Sequence, residues 1–390
     1  MKIFEFDGLN DLFSSLIKPN SRHLKCRYFA LILVIVLAVF VGLVSFFSLY
    51  KKNPTVSEIQ NLDSMAIKAR NLSRLDPDST LRISLQLLEA SEKLNYEKGL
   101  GDSYRLLSIT SARSRNYELA QEYLIKAQSI FQGLNHQSGL ADVEISFGSL
   151  ANSMDDTLAA INHFKKALFI FSKLDQKDRM RIASFNTAHS FADIGRVDSA
   201  EVYFDLAFKL RVASEDLPSL GEFLSLHGKI EYLKQNYEKA EDYFLKALEY
   251  DKSVGGNENF QVLFESNLFL SKIYKSRGMI DRSTELLQGV LSSDRIYEDE
   301  SYARQTFMEL IDNYQSLQDY QNAYSTFSAK ENFESELERR KVELAKNFSA
   351  ELSLYRGFQL ENEFLSSKLS ERNKFILIGG VFTLIIVFFV

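Results

Sequence analysis

Four alanines recur at an interval of 40 residues, Ala120, Ala160, Ala200 and Ala240, and Thr80 precedes them in the same register. Ser283 and Ala323 continue the series after one three-residue slip. A fixed period of this length requires one structural unit used many times over, each copy stacked on the last. Four residues after each mark most copies carry a bulky apolar side chain: Leu124, Phe164, Phe204, Phe244, Leu287 and Phe327. Three further on stands Ala127, Ala167, Ala207 or Ala247. Positions i, i+4 and i+7 share one face of a helix. Small residues there let a neighbouring helix approach closely, and the large one fills the gap between the two. The register therefore predicts an α-solenoid, a stack of helix pairs.

The rest of the composition agrees with an all-α chain. Of 390 residues only Pro19, Pro54, Pro77 and Pro218 are proline, each at an expected element boundary, and strong helix formers dominate between them. Runs with period-2 alternation are scarce, so no sheet is expected. Cys26 is the only cysteine, which excludes a disulfide framework or a cysteine zinc site within one chain. His23, His136, His163, His189 and His227 show no ligand spacing, so neither metal nor cofactor is expected. Residues 1–52 hold seven Lys and Arg against three Asp and Glu, a net +4; the chain as a whole is −6, leaving −10 for the remainder. An acidic body without a basic stripe argues against nucleic-acid binding by the repeats.

Seven helix pairs are expected over residues 56–328. An opening pair covers Val56–Arg74 and Asp78–Leu94. The first helices that follow are Leu100–Arg113, Ala141–Asn152, Arg181–Ile194, Ser219–Leu233, Val262–Ser276 and Tyr302–Ser316. Their second helices are Asn116–Gly133, Asp155–Lys173, Arg196–Ala213, Asn236–Val254, Met279–Ser292 and Asp319–Phe333, each entered through a polar turn that supplies a cap.

This arrangement resembles the tetratricopeptide repeat (TPR). Gly148, Ala188, Gly228 and Ser271 fill that family's small site in the first helix, and the alanine register fills the small sites in the second. Its late aromatic site is met by Phe191, Tyr274 and Tyr314 but not by Ser111, Ala151 or Glu231, and the large aromatic usual at the start is absent. The period exceeds the usual one and implies longer helices. The resemblance implies a concave face lined by first helices that binds a peptide or protein segment. Carried over copy by copy, it selects Arg105, Asn152, His189, Lys229, Tyr232, Lys272 and Lys275 as groove residues, a partly basic set suited to a carboxylate or an acidic peptide. Each of them is also compatible with an ordinary solvated helix position.

From 329 to 374 the repeat pattern gives way to a heptad seam: Leu337, Lys341, Leu344, Phe348, Glu351, Tyr355, Phe358, Asn362, Leu365 and Leu369. The expectation is a parallel homodimeric coiled coil; the alternative is a capping helix that folds back onto the last repeat. Two apolar runs flank the body. Tyr28–Tyr50 is uncharged and long enough to span a membrane, with Lys18, Arg22, Lys25 and Arg27 before it and Lys51 and Lys52 after it. This favours a retained anchor over a cleaved signal peptide, with residues 1–27 as a cytoplasmic tail and the repeats on the far side, in the periplasm if the membrane is a bacterial inner one. The tail holds a short amphipathic stretch, Ile3–Ile17. The second run, 375–390, is short for a crossing, so an incomplete second transmembrane helix is expected there.

The order of parts resembles that of bacterial membrane sensors, common in Bacteroidota, in which a TPR array, a coiled coil and a transmembrane helix precede a histidine kinase or helix-turn-helix output domain. The present sequence contains no such output domain. No phosphate loop, nucleophile elbow or paired metal motif is present either, so a non-enzymatic chain is expected. The expected function is peptide or protein binding as the sensory input of a transmembrane signalling protein. The alternative is a membrane-anchored scaffold that recruits protein partners.

Overall fold

In a computed structural model the described residues are 54–389 except 74–75, 213–219, 254–258, 294 and 298–299. The expected anchor at 28–50 and the tail before it lie outside them. Among the described residues there are fourteen helices and no strand. They form seven pairs: α1 (Val56–Leu72) with α2 (Pro77–Leu94), α3 (Glu97–Arg113) with α4 (Tyr117–Gly133), α5 (Gln137–Ser153) with α6 (Thr157–Lys173), and α7 (Lys177–Asp193) with α8 (Val197–Val212). Then come α9 (Leu220–Leu233) with α10 (Tyr237–Ser253), α11 (Phe260–Ser276) with α12 (Ile280–Leu291), and α13 (Glu300–Ser316) with α14 (Tyr320–Phe389).

The turns recur as the helices do. Asn95, Arg115, Asn135, Asp155, Asp175, Gly195, Gln235, Gly278 and Gln318 all have positive φ and close a helix end. The left-handed residue turns the chain so that orphan backbone groups of the last turn are satisfied. At the next start a short polar side chain accepts a backbone N–H: Asp76 from Ser79, Asn116 from Leu119, Asp156 from Ala159. Turn and cap together fix the angle at which each helix folds back.

The alanine register is the packing seam. Ala120, Ala160, Ala200 and Ala240 are wholly buried, as are Ala127, Ala167, Ala207 and Ala247 seven residues later. Leu124, Phe164, Phe204, Phe244 and Leu287 fill the core between them. Phe327, in the same register, is 49% exposed. The difference is positional, because among the described residues no further first helix packs on α14 to cover this side chain. At Gly148 an added Cβ would lie 2.4 Å from Phe164 Cε1, whereas at Gly289 in α12 nothing comes within 4 Å. Gly148→Ala therefore gains helix propensity but forces a buried ring to move, for a net loss of about 1–2 kcal/mol. Gly289→Ala has only the gain, about 0.5–1 kcal/mol. Urea midpoints of the two variants should shift in opposite directions.

Successive first helices touch one another, α1 with α3, α3 with α5, α7 with α9, α9 with α11 and α11 with α13, and α5 meets α7 through Asn152–Ser190 and Arg179–Asp142. Side chains two repeats apart also meet along this line: Gln261 Nε2 on α11 is 3.2 Å from His189 Nε2 on α7. Such contact is possible only on the inside of a curve, so the first helices line the concave face.

The seventh repeat departs from expectation. Its second helix does not stop before a separate coiled coil; α14 runs unbroken from Tyr320 to Phe389. Up to Tyr355, residues of the expected seam pack against this same chain. Phe333 and Leu337 are buried with Phe260, Phe264, Ile296, Ala303 and Phe307. Further along, Phe348 and Leu352 are buried with Leu81, Leu85 and Leu88 of α2, Leu107 of α3 and Tyr123 of α4. Tyr355 packs at the edge of that cluster and its hydroxyl donates to Glu92 at 3.3 Å. Ion pairs follow the same path: Glu300 is shared by Arg115, Arg304 and Lys341. The last repeat is thereby joined to the first two. Beyond Tyr355, Leu360, Phe364, Leu365 and Leu369 are exposed. Among the described residues no helix is long and apolar enough to cross a membrane.

Candidate functional site: a buried charge network on the concave face

On the inside of the curve, α7, α9, α11 and α13 each contribute one turn to a polar cluster. Lys229 of α9 follows Gly228, whose missing side chain admits the Phe244 ring, and this close packing holds the lysine stem in the interior. Lys229 is 5% exposed and Glu265 of α11 is 2% exposed, so neither charge is solvated. Lys229 Nζ donates to Asp193 Oδ1 at 2.7 Å and to Glu265 Oε1 at 2.8 Å. Tyr302 of α13 donates to the same Glu265 oxygen at 2.6 Å, and Ser225 donates to Glu265 Oε2 at 3.0 Å. His189 Nδ1 is 3.0 Å from Asp193 Oδ2, and its Nε2 is 3.5 Å from Glu265 Oε1. The Phe269 ring lies 5.6 Å from the ammonium.

Burial opposes every charge here, and pairing overcomes it. Desolvation works against ionised Glu265, but Lys229 and His189 hold its carboxyl well below the usual range. Lys229 is likewise pushed well above its ordinary value by Glu265, Tyr302 and Asp193 despite burial. For His189, burial and the Lys229 charge favour the neutral ring; Asp193 and Glu265 outweigh them and raise it to about 10. The cluster is then two cations, two carboxylates and a phenol, electrically balanced and saturated with hydrogen bonds. Such a set positions elements; it holds no poised base or nucleophile at neutral pH. Among the described residues no group of three or more His, Cys, Asp and Glu is arranged to hold a metal ion.

The sign of the linkage follows. His189 titrates at 6.5 unfolded and about 10 folded, so its contribution is complete below 6.5 and is lost as pH rises toward 10. The depressed pKa of Asp193 and of Glu265 gives stability that is present above 3.8 and 4.5 respectively and is lost as pH falls below those values. His189→Gln should therefore destabilise by about 2–4 kcal/mol near pH 6, and by much less near pH 10. Urea midpoints of wild type and variant, measured across that range, should converge at high pH.

Of the seven groove residues expected from sequence, the structure brings His189 and Lys229 together and leaves the others apart. Lys272 is paired with Glu309 at 3.4 Å, and Lys275 is paired with Asp312. Tyr232 packs edge-on against Phe269 with 4.9 Å between centroids, and Asn152 donates to Ser190 Oγ at 3.3 Å. Arg105 is buried on α3, and its Nη2 lies 4.0 Å from Asp102. The basic groove is thus largely neutralised by carboxylates of the neighbouring repeat. Asp193, Gln261, Glu265 and Tyr302 escaped sequence reading. The signal was present as spacing: Asp193, Lys229 and Glu265 stand 36 apart, one repeat less one helical turn.

The tetratricopeptide-repeat pattern matches residues 222–254, which hold nearly all of α9 and α10. No curated protein matches the chain in sequence. Among solved structures, NprR in complex with its cognate peptide NprX is similar with a TM-score of 0.50 and 16% identity, over 91% of this chain and 98% of that one. The APC/C hetero-tetramer Cut9-Hcn1 is similar with a TM-score of 0.53 and 14% identity, over 81% of this chain and 52% of that one. At these identities the likeness is one of fold: an all-helical TPR-like solenoid.

Proposed function

We propose that the chain is a membrane-anchored receptor whose concave face binds a peptide or protein segment, and that α14 carries the bound state toward the membrane. The observation that carries the reading is the double attachment of α14. It belongs to the last repeat through Phe333 and Leu337 and packs on the first two through Phe348 and Leu352. A ligand that changes the curvature between these ends must move α14 against one of them, because packed side chains shift between discrete arrangements. The likeness to a peptide-bound NprR structure supports the choice of ligand class. The anchor is Tyr28–Tyr50, with the repeats on the far side of a bacterial inner membrane, and signalling to an output domain is the role that fits an anchored array.

A photo-crosslinking residue placed in the full chain at Asn152 or Lys272 tests the binding face, with exposed Lys166 on α6 as the outward control. Discrete adducts at the first two sites and none at the third are expected. Equal labelling at all three would overturn the reading. An alkaline phosphatase fusion after Lys52 tests the orientation; it should be active, and an inactive one would place the repeats in the cytoplasm.

A further inference from the structure

The stack has two open ends. Among the described residues α1 is a first helix with no second helix before it, and α14 is a second helix with no first helix packed after it. Inside the array each junction between a second helix and the next first helix carries the same pair of positions. Leu124 of α4 and Phe147 of α5 belong to one cluster. The Phe204 ring of α8 lies 4.7 Å from the His227 ring of α9, between centroids. Phe244 of α10 and Leu270 of α11 share a further cluster. Carried to the two ends, the register places Phe327 of α14 and Ile67 of α1 at these positions. Each of the two is 49% exposed.

The faces around them match in chemistry. Tyr320, Tyr324 and Phe327 stand at i, i+4 and i+7, on one face of α14. Tyr324 is 74% exposed, and no charged residue lies between Tyr320 and Ala329. A solenoid that ends in water turns a polar outer face to it. This face is instead built like the internal ones. Tyr117, the counterpart of Tyr320, donates its hydroxyl to the Ser153 carbonyl at the end of the next first helix, at 3.0 Å. On α1 the exposed positions Val56, Gln60, Ser64, Ile67 and Asn71 form one stripe, and Lys68 is the one charged residue among the exposed positions of that helix. Asp63, at the inner edge of the stripe, is already paired with Lys98 at 2.8 Å. Neither face therefore brings an unpaired carboxylate to be desolvated. Arg70, half-buried in the last turn of α1, falls opposite the start of α14 in the antiparallel packing of the internal junctions, where a tyrosine ring can receive a guanidinium.

We propose that the aromatic face of α14 docks α1 of a second copy of this chain, so that the stack continues from one molecule into the next. Phe327 then meets Ile67 as Phe244 meets Leu270 within one chain. The argument is continuity: the occupant of this face at every other junction is a first helix of this sequence, and α1 is the first helix whose matching face is open. The contact joins two different faces, so each copy keeps one free end, and copies form rows or rings in place of two-fold pairs. It is independent of the peptide-binding reading and uses neither the groove nor the Phe348 contact.

The test uses two full-length chains in membranes, co-expressed under different tags, each with Cys26→Ser to remove the native thiol. One carries Ile67→Cys and the other Phe327→Cys. Oxidation should join them into a one-to-one dimer, since a disulfide forms only where the two Cβ atoms come within about 4.5 Å. Either chain expressed alone should give no dimer, because it holds one contact position and not the other. Tyr324→Glu added to the Phe327→Cys chain should abolish the product; Tyr324 is exposed, so this variant keeps its fold. Lys166→Cys, exposed on α6, should give no product in place of Ile67→Cys. A dimer from the Phe327→Cys chain alone would overturn the proposal and assign the face to self-pairing. Absence of product in the mixture, or equal product with Lys166→Cys, overturns it as well.

Discussion

Glu265→Leu should be among the most damaging single substitutions in the array, lowering stability by about 3–5 kcal/mol. The loss does not measure the worth of the ion pair. Glu265 receives Lys229 and Tyr302 at one oxygen and Ser225 at the other, all in the interior. Removing it leaves an ammonium at 5% exposure with Asp193 as its one paired carboxylate, and two hydroxyl groups lose the acceptor they donate to. Taking away both charges is different. In Lys229→Met/Glu265→Leu the desolvation that opposed both ions disappears and apolar side chains of similar length fill the volume. The double variant should recover to within about 1–2 kcal/mol of wild type. Urea unfolding of the two single variants and the double gives the coupling energy directly. Losses that simply add would mean that the network is not a closed unit.

The register of small residues made the fold legible because it marks the same point in every copy. Ala120, Ala160, Ala200 and Ala240 touch the same kind of neighbour, so one chemical requirement is written four times. Charges on first helices have no such redundancy. Lys229 reads in sequence as a solvated helix residue, as Lys272 and Lys275 do. What distinguishes it is a partner 36 residues away on each side, and that offset follows from how far one first helix slides along the next. The slide is a property of packing, so Asp193 and Glu265 become visible as partners only once the helices are stacked. Arg105 was legible as a groove position, but its burial was not. The heptad seam shows the same limit. Leu337, Phe348 and Tyr355 were legible as a buried stripe, yet a stripe does not say whether its cover is a second copy or the chain's own α2.

That cover yields the second large effect. In Phe348→Ala/Leu352→Ala the contacts of α14 with α2, α3 and α4 lose their two buried side chains from that helix. A buried Phe truncated to Ala alone costs about 3–5 kcal/mol. The links that remain include Tyr355, which packs at the edge of the cluster and bonds Glu92, and the Lys341–Glu300–Arg115 pairs. They are partly exposed, and such pairs contribute only about 0–1 kcal/mol each. Docking should therefore fail while Phe333 and Leu337 still hold the start of α14 in the last repeat. Hydrogen exchange reads this by segment. Protection should fall by about 100-fold or more over residues 344–356 and also rise in exchange rate along α2, whose Leu81, Leu85 and Leu88 lose their cover. Helices α5 to α10 should be unchanged, since each repeat is stabilised by its neighbours. If exchange increases in α14 alone and α2 keeps its protection, the two ends of the array are not coupled through this helix, and α14 could not convey a change in curvature.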